Sequence, residues 1–314
     1  MIKYLEHSEI DRAKWDNLIE EYGDAKIYGQ SWFLDSVAPE WCALIYGDYQ
    51  AAIPLVTAKK WGQPYIYQPA YVQRFSIYQK PSLEPGLCEK MLNSIPSNFR
   101  LIRLNLSSNP DWFPRKFALR RCRNQYLKTS ISYSKIKIGY KKGLKYSIRK
   151  AISNGVYVRS DLTTQELIGF YKLNPLKIQH KHLARLIKLS KNATPENSTK
   201  IWGAFNSDGF QISIGISVMD SRAIYYLHQS NNNLGKKLCA SHLMTDCMVE
   251  YACQNAEKFD FVGSNIPGIA FFNRQFGCEN EYYYSIVSGS KSWGSCLLMT
   301  ADELKEKFKK ILKS

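Results

Sequence analysis

The chain has 314 residues, 45% of them hydrophobic and 13% aromatic, which excludes a disordered protein and is long enough for two domains of ordinary size. Formal net charge is +16, from 43 basic and 27 acidic residues; no apolar run is long enough to span a bilayer, and the start, MIKYLEHSEIDRAKW, lacks the basic–apolar–small pattern of a signal peptide. The eight cysteines form no CxxC pair, which argues for reduced thiols in a cytoplasmic protein and against a structural zinc site or a disulfide framework.

In chain order, Ser8 reads as the cap of a helix over 9–22, with Ile10, Trp15, Leu18 and Ile19 on or near one face. A short helix over 31–37 is stopped by Pro39. Strands over 41–46 and 50–58 flank Gly47-Asp48, a tight hairpin signal. The stretch 64–77, interrupted by Pro69, reads as an irregular strand or edge. A helix over 85–95 and strands over 100–106 and 124–132 follow.

The segment 140–158, YKKGLKYSIRKAISNGVYV, is a basic helix closed by Asn154-Gly155 and then a strand, with Leu144, Ile148, Ala151 and Ile152 at helical spacing. It belongs to a longer basic stretch. Between Asp111 and Asp161 stand fourteen basic residues and no acidic one, which leaves 29 basic against 27 acidic residues elsewhere. Two readings stay open for 115–150: a solvated linker, or a surface for a polyanion such as RNA, an anionic membrane face or a nucleotide-linked substrate.

Helices are predicted over 163–173, with Thr164 as cap, and over 181–189; a polar loop covers 192–199. Strands at 200–205, 211–219 and 223–229 precede one long helix over 235–256. The stretch 259–286, FDFVGSNIPGIAFFNRQFGCENEYYYSI, then reads as a buried strand, a polar turn at Gly263-Ser264-Asn265, and a helix over 267–276. Pro267 suits a first helical position and Gly277 a left-handed cap; an aromatic strand over 279–287 follows. A last amphipathic helix is predicted over 301–312, and Cys239, Cys247 and Cys253 read as core.

The run DFVGSNIPGIAFFNRQFG resembles the C-terminal signature of FemAB-like proteins of the GNAT acyltransferase superfamily, where a strand ends in a Gly-Ser turn and a short helix ends in Phe-Gly. The basic helix ending in Lys150-Ala151, with its capping glycine, resembles their linker. The resemblance implies an α+β fold (α/β layered) of tandem GNAT-like halves with mixed, mostly antiparallel central sheets, here 1–134 and 135–314. It also implies an N-acyltransferase without a metal, using acetyl-CoA or another acyl-CoA as cosubstrate. In that family the acyl-carrier arm threads between two splayed strands, and a loop entering the next helix binds the pyrophosphate with backbone N–H groups. The matching strand is 223–229 and the loop 230–237, SNNNLGKK, which keeps Gly235 alone of the usual glycine pattern. Gln229, Asn233, Gly235, Lys236 and Lys237 are the cofactor-binding candidates. Characterised peptidyltransferases of the family take an aminoacyl group from tRNA, so that donor stays open, as does a catalytically silent scaffold.

Direct acyl transfer needs a deprotonated amine, a donor to the developing oxyanion and an acid for the leaving group. The catalytic candidates are His228 at a strand end and Ser264 and Asn265 at the turn; Phe272, Arg274, Glu281 and Tyr282 are the substrate-binding candidates. Strand alternation places Tyr226 and His228 on one face, opposite Tyr225 and Gln229. His228 reads equally as a hydrogen-bonded structural residue, and Ser264 and Asn265 as helix caps. His180 and His182 lack a carboxylate or cysteine at ligand spacing, which argues against a metal site. The acceptor expected from the resemblance is an amine of a cell-envelope or polysaccharide precursor, small or nucleotide-linked, met in the cytoplasm or at the inner membrane face.

Overall fold

The computed structural model describes residues 1–23, 26–81, 83, 86–107, 113–175, 178–192 and 199–289. The predicted helix at 301–312 and most of the loop at 192–199 lie outside them.

The first half runs β1 (Ile2–Leu5), α1 (Arg12–Tyr22), α2 (Ser31–Val37), β2 (Cys42–Tyr46), β3 (Ala51–Leu55), β4 (Thr57–Lys60), β5 (Gln63–Ile66), β6 (Tyr78–Gln79), α3 (Leu87–Asn93), β7 (Leu101–Leu106) and β8 (Ala118–Lys128). Strand β1 was not foreseen. Helix α1 starts later than predicted: the Asp11 carboxylate accepts the Lys14 N–H, and Ser8 lies instead in a separate 3-10 turn, His7–Glu9. The strand predicted over 50–58 is two strands in two sheets. Strand β3 pairs with β2 in a four-stranded sheet, order β1-β2-β3-β6, while β4 opens the larger one.

The second half runs α4 (Tyr133–Ile138), α5 (Lys142–Ser153), β9 (Tyr157–Arg159), α6 (Thr164–Leu173), α7 (His180–Lys191), β10 (Thr199–Phe205), β11 (Gln211–Met219), β12 (Ala223–Asn231), α8 (Asn233–Lys237), α9 (Ala240–Asn255), β13 (Lys258–Asp260), α10 (Pro267–Arg274) and β14 (Glu279–Gly289). The single long helix predicted over 235–256 is broken, because Cys239 takes a left-handed φ of 58° and ends the α8 turn. Helix α6 is capped by Thr163 rather than Thr164: Thr163 accepts from the Glu166 N–H and the Glu166 carboxylate accepts from the Thr163 N–H, a reciprocal box. Thr163→Ala should therefore cost about 1 kcal/mol of stability in urea unfolding, and Thr164→Ala much less.

The large sheet has ten strands in the order β4-β5-β7-β14-β8-β13-β12-β11-β10-β9. Its topology joins the halves: β14 sits antiparallel between β7 and β8, and β13 pairs with β8. Neither 1–134 nor 135–314 completes its sheet alone. Apolar residues on the two sides feed two cores. One gathers Trp15, Phe33, Trp41, Leu104, Ile216 and Tyr225; the other packs α5 and α9 on Tyr226, Phe259, Phe261 and Phe276. Strand β12 is thus covered on both faces, which explains its near-continuous apolar run.

Candidate functional site

The site begins where two strands part. Strand β12 pairs in parallel with β13 only at Ala223–Lys258, Ile224–Phe259 and Tyr225–Asp260. Beyond Asp260 the chain turns away through Val262 (φ 45°) and Gly263 (φ 84°), while β12 continues to Asn231 with β11 as partner. The turn has a local cause, since the buried Asp260 carboxylate accepts the Val262 N–H at 2.9 Å. Between the diverging chains lies a cavity of about 420 Å³, lined by Tyr226, His228, Gln229, Ser241, Phe261, Phe272 and Asn273 among others.

A β-bulge decides what faces this space. Ser217 pairs with Tyr226 and Ile216 with His228, so Leu227 is an extra residue in β12. Simple alternation therefore fails, and Tyr226 and His228 do not share a face. The Tyr226 hydroxyl meets Thr245 of α9 at 3.4 Å, whereas the His228 ring meets Tyr171 of α6. His228 Nε2 and the Tyr171 hydroxyl are hydrogen-bonded, and the Tyr71 ring stands edge-on to the imidazole with centroids 6.0 Å apart. Burial, and to a lesser degree His182, pushes the His228 imidazole down to about 4, so the ring is neutral at physiological pH.

The other predicted residues separate into those at the cavity and those away from it. Gln229 and Phe272 line it; Phe272 is held between His242 (5.0 Å) and Phe276 (5.3 Å). Ser264 is buried behind the wall, where its hydroxyl accepts a long bond from the Asn273 amide at 3.5 Å. Asn265 is exposed and ties the turn to the sheet, accepting from the Arg123 N–H (3.0 Å) and donating to the Tyr283 hydroxyl (2.8 Å). Arg274 is exposed at the end of α10. Tyr282 is exposed on β14 with the Arg121 guanidinium 3.5 Å above its ring.

In the predicted cofactor loop, the Asn232 side chain accepts the Gly235 N–H at 2.8 Å, so that donor is already taken. A Cβ at Gly235 would stand 2.2 Å from the Ile212 carbonyl oxygen, so close packing on β11 requires glycine there. Asn233, Lys236 and Lys237 are exposed on α8 and do not line the cavity. Beyond Tyr225 the edge of β12 facing β13 has no strand partner, and the Gly235 N–H at the head of α8 is taken by its own cap.

Glu281 proves to be part of a polar network at the seam of the halves that the sequence did not announce. Arg74 donates to it at 2.7 Å and Lys258 at 2.8 Å; Asn124 donates to both Glu281 and Asp260 at 2.8 Å, and Gln73 donates to Asn124 at 2.8 Å. Burial would lift the Glu281 carboxyl, but Arg74 and Lys258 hold it down at about 2. For fully buried Asp260 burial prevails, and its carboxyl lies above the ordinary value despite Lys258 and Arg74. The network sits where β13 ends, so it fixes the turn that opens the cavity. Tyr171, Arg74 and the pairing of Glu281 within this network escape sequence reasoning, since Arg74 and Glu281 are 207 positions apart.

No family model matches the sequence, and no curated protein matches it. Solved structures do match. FemX superposes with a TM-score of 0.63 at 9% identity, over 90% of this chain and 96% of that one. L-PGS from Bacillus licheniformis gives 0.57 at 11% identity, over 90% and 92%. A tandem GNAT protein from the clavulanic acid biosynthesis pathway gives 0.54 at 10% identity, over 91% and 98%. The chain is therefore a tandem GNAT-fold protein. It is similar in fold to FemX over nearly its whole length. Among the described residues no group of three His, Cys, Asp or Glu could hold a metal ion, and no helix is long and apolar enough to cross a membrane.

Proposed function

We propose that the chain is an N-acyltransferase that moves an acyl group onto an amine of a cell-envelope or polysaccharide precursor. The observation that supports this reading most is the gap between β12 and β13, with His228 among the residues that line it. In the proposed reaction the amine lone pair attacks the acyl carbonyl. His228 accepts the amine proton as the C–N bond forms, and the proton passes to the departing oxygen or sulfur of the donor as that bond breaks. Tyr171 holds the imidazole in place. Gln229 and Phe272 contact the acyl-bearing arm, and Ser264 acts at one remove by orienting Asn273.

Acetyl-CoA or another acyl-CoA is the first proposed donor, with Lys236 and Lys237 beside its phosphates. It should raise the melting temperature in a titration, since a ligand at about a hundred times its Kd stabilises the native state by about 2.7 kcal/mol. Lys236→Glu with Lys237→Glu should remove most of that shift. Replacing Gly235 would not be informative, because any side chain there strikes the Ile212 carbonyl. The self-capped Asn232–Gly235 turn favours a second reading, an aminoacyl-tRNA donor. No thermal response to any acyl-CoA, together with transfer from aminoacyl-tRNA, would decide for it. Absence of both activities would leave a catalytically silent scaffold.

A further inference from the structure

Helix α5 buries Leu144, Ile148 and Ala151 against α9 and turns a strongly basic face outward. Lys142, Lys145, Tyr146 and Arg149 stand on that face, with Tyr146 63% exposed. The end of α4 adds Ile138, 77% exposed, placed beside α5 because Lys145 Nζ donates to the Ile138 carbonyl at 3.2 Å. Helix α10 borders the same surface. The Lys141 N–H donates to the Gln275 carbonyl at 2.8 Å, and the Gln275 side chain lies against Gly143. Phe271, 60% exposed, is one turn before Gln275 on the same stripe, with exposed Arg274 next to it. Three large apolar side chains thus project among five cations, Lys141, Lys142, Lys145, Arg149 and Arg274. The sequence supplies no carboxylate anywhere between Asp111 and Asp161 to neutralise the first four.

We propose that this face, formed by α4, α5 and α10, docks onto an anionic lipid bilayer. Cations alone would suit any polyanion, but isoleucine and phenylalanine tips gain nothing from a phosphate backbone. They gain by entering the boundary between headgroups and acyl chains, the arrangement of an interfacial surface. A second copy of the same face is disfavoured because it would bring like charges together. The other side of α10 supplies Ile269, Phe272 and Asn273 to the cavity, so docking sets the cavity beside the lipid surface. This inference does not depend on acyl transfer.

The test is co-sedimentation of the whole chain with phosphatidylcholine vesicles that contain about a third phosphatidylglycerol, against pure phosphatidylcholine. The chain should bind the anionic vesicles, and added salt should weaken the binding. Lys142→Glu with Lys145→Glu and Arg149→Glu should lower the partition coefficient by about a hundredfold or more, at about fivefold per charge. Ile138→Ser with Phe271→Ser keeps the charge and should lower it by about tenfold or more. All five positions are exposed, and circular dichroism melts will show whether the fold is kept. Absence of vesicle binding at low salt would overturn the proposal. So would binding that the apolar double variant leaves whole, above all if tRNA competes for it, since the face would then be a nucleic-acid surface.

Discussion

Glu281→Ala should lower the unfolding free energy by about 3 kcal/mol in urea titrations. That is the low end of the range for breaking a buried pair, because the Glu281 side chain keeps 29% of its exposure while Arg74 keeps only 4%. The loss comes from taking away the carboxylate that Arg74 and Lys258 share. Glu281→Gln separates charge from shape and has a pH signature. The folded carboxyl titrates at about 2 against an ordinary 4.5, so its stabilisation is complete above the ordinary value and lost as pH falls toward the folded one. The stability gap between parent and Glu281→Gln should therefore narrow as pH drops from neutral to about 3. A gap that stays constant would mean that the ion pair contributes nothing. Asp260 has the opposite sign: burial raises it, so what it contributes is present at low pH and lost as pH rises through its folded value.

His228→Ala should slow acyl transfer by about a hundredfold or more. Because it also empties a largely buried site and leaves the Tyr171 hydroxyl without this partner, it should lower the melting temperature as well, and rates are compared well below the transition. Two further readouts separate chemistry from structure. The acid limb of the rate profile should fall near 4, the value to which burial pushes His228, rather than near the ordinary histidine value of 6.5. Tyr171→Phe should shift that limb, because it removes the hydroxyl bonded to Nε2. Ser264→Ala should have a smaller effect than His228→Ala, and Asn265→Ala should act on the stability of the turn. Parent rates in His228→Ala and Tyr171→Phe would place the chemistry elsewhere.

Much of this protein is legible in its residues because the terms that decide it are local. Helix α5 follows from the spacing of Leu144, Ile148 and Ala151, and α10 from Pro267 at its start and Gly277, with φ 76°, beyond its end. Strands β7, β10, β11 and β12 lie close to their predicted bounds because apolar runs between turn residues are read over a few positions. The motif over 260–277 was enough to indicate tandem GNAT halves, which the superpositions bear out. The tertiary structure alone decided the rest. It inserted β14 between β7 and β8, bulged β12 at Leu227 so that His228 left the face of Tyr226, and broke the long helix at Cys239. It also drew Arg74, Asn124, Lys258, Asp260 and Glu281 into one partly buried network. Caps and periodicity are settled among neighbours a turn apart. Strand order, register and desolvation are settled between residues far apart in sequence, by the requirement that groups removed from water find their partners.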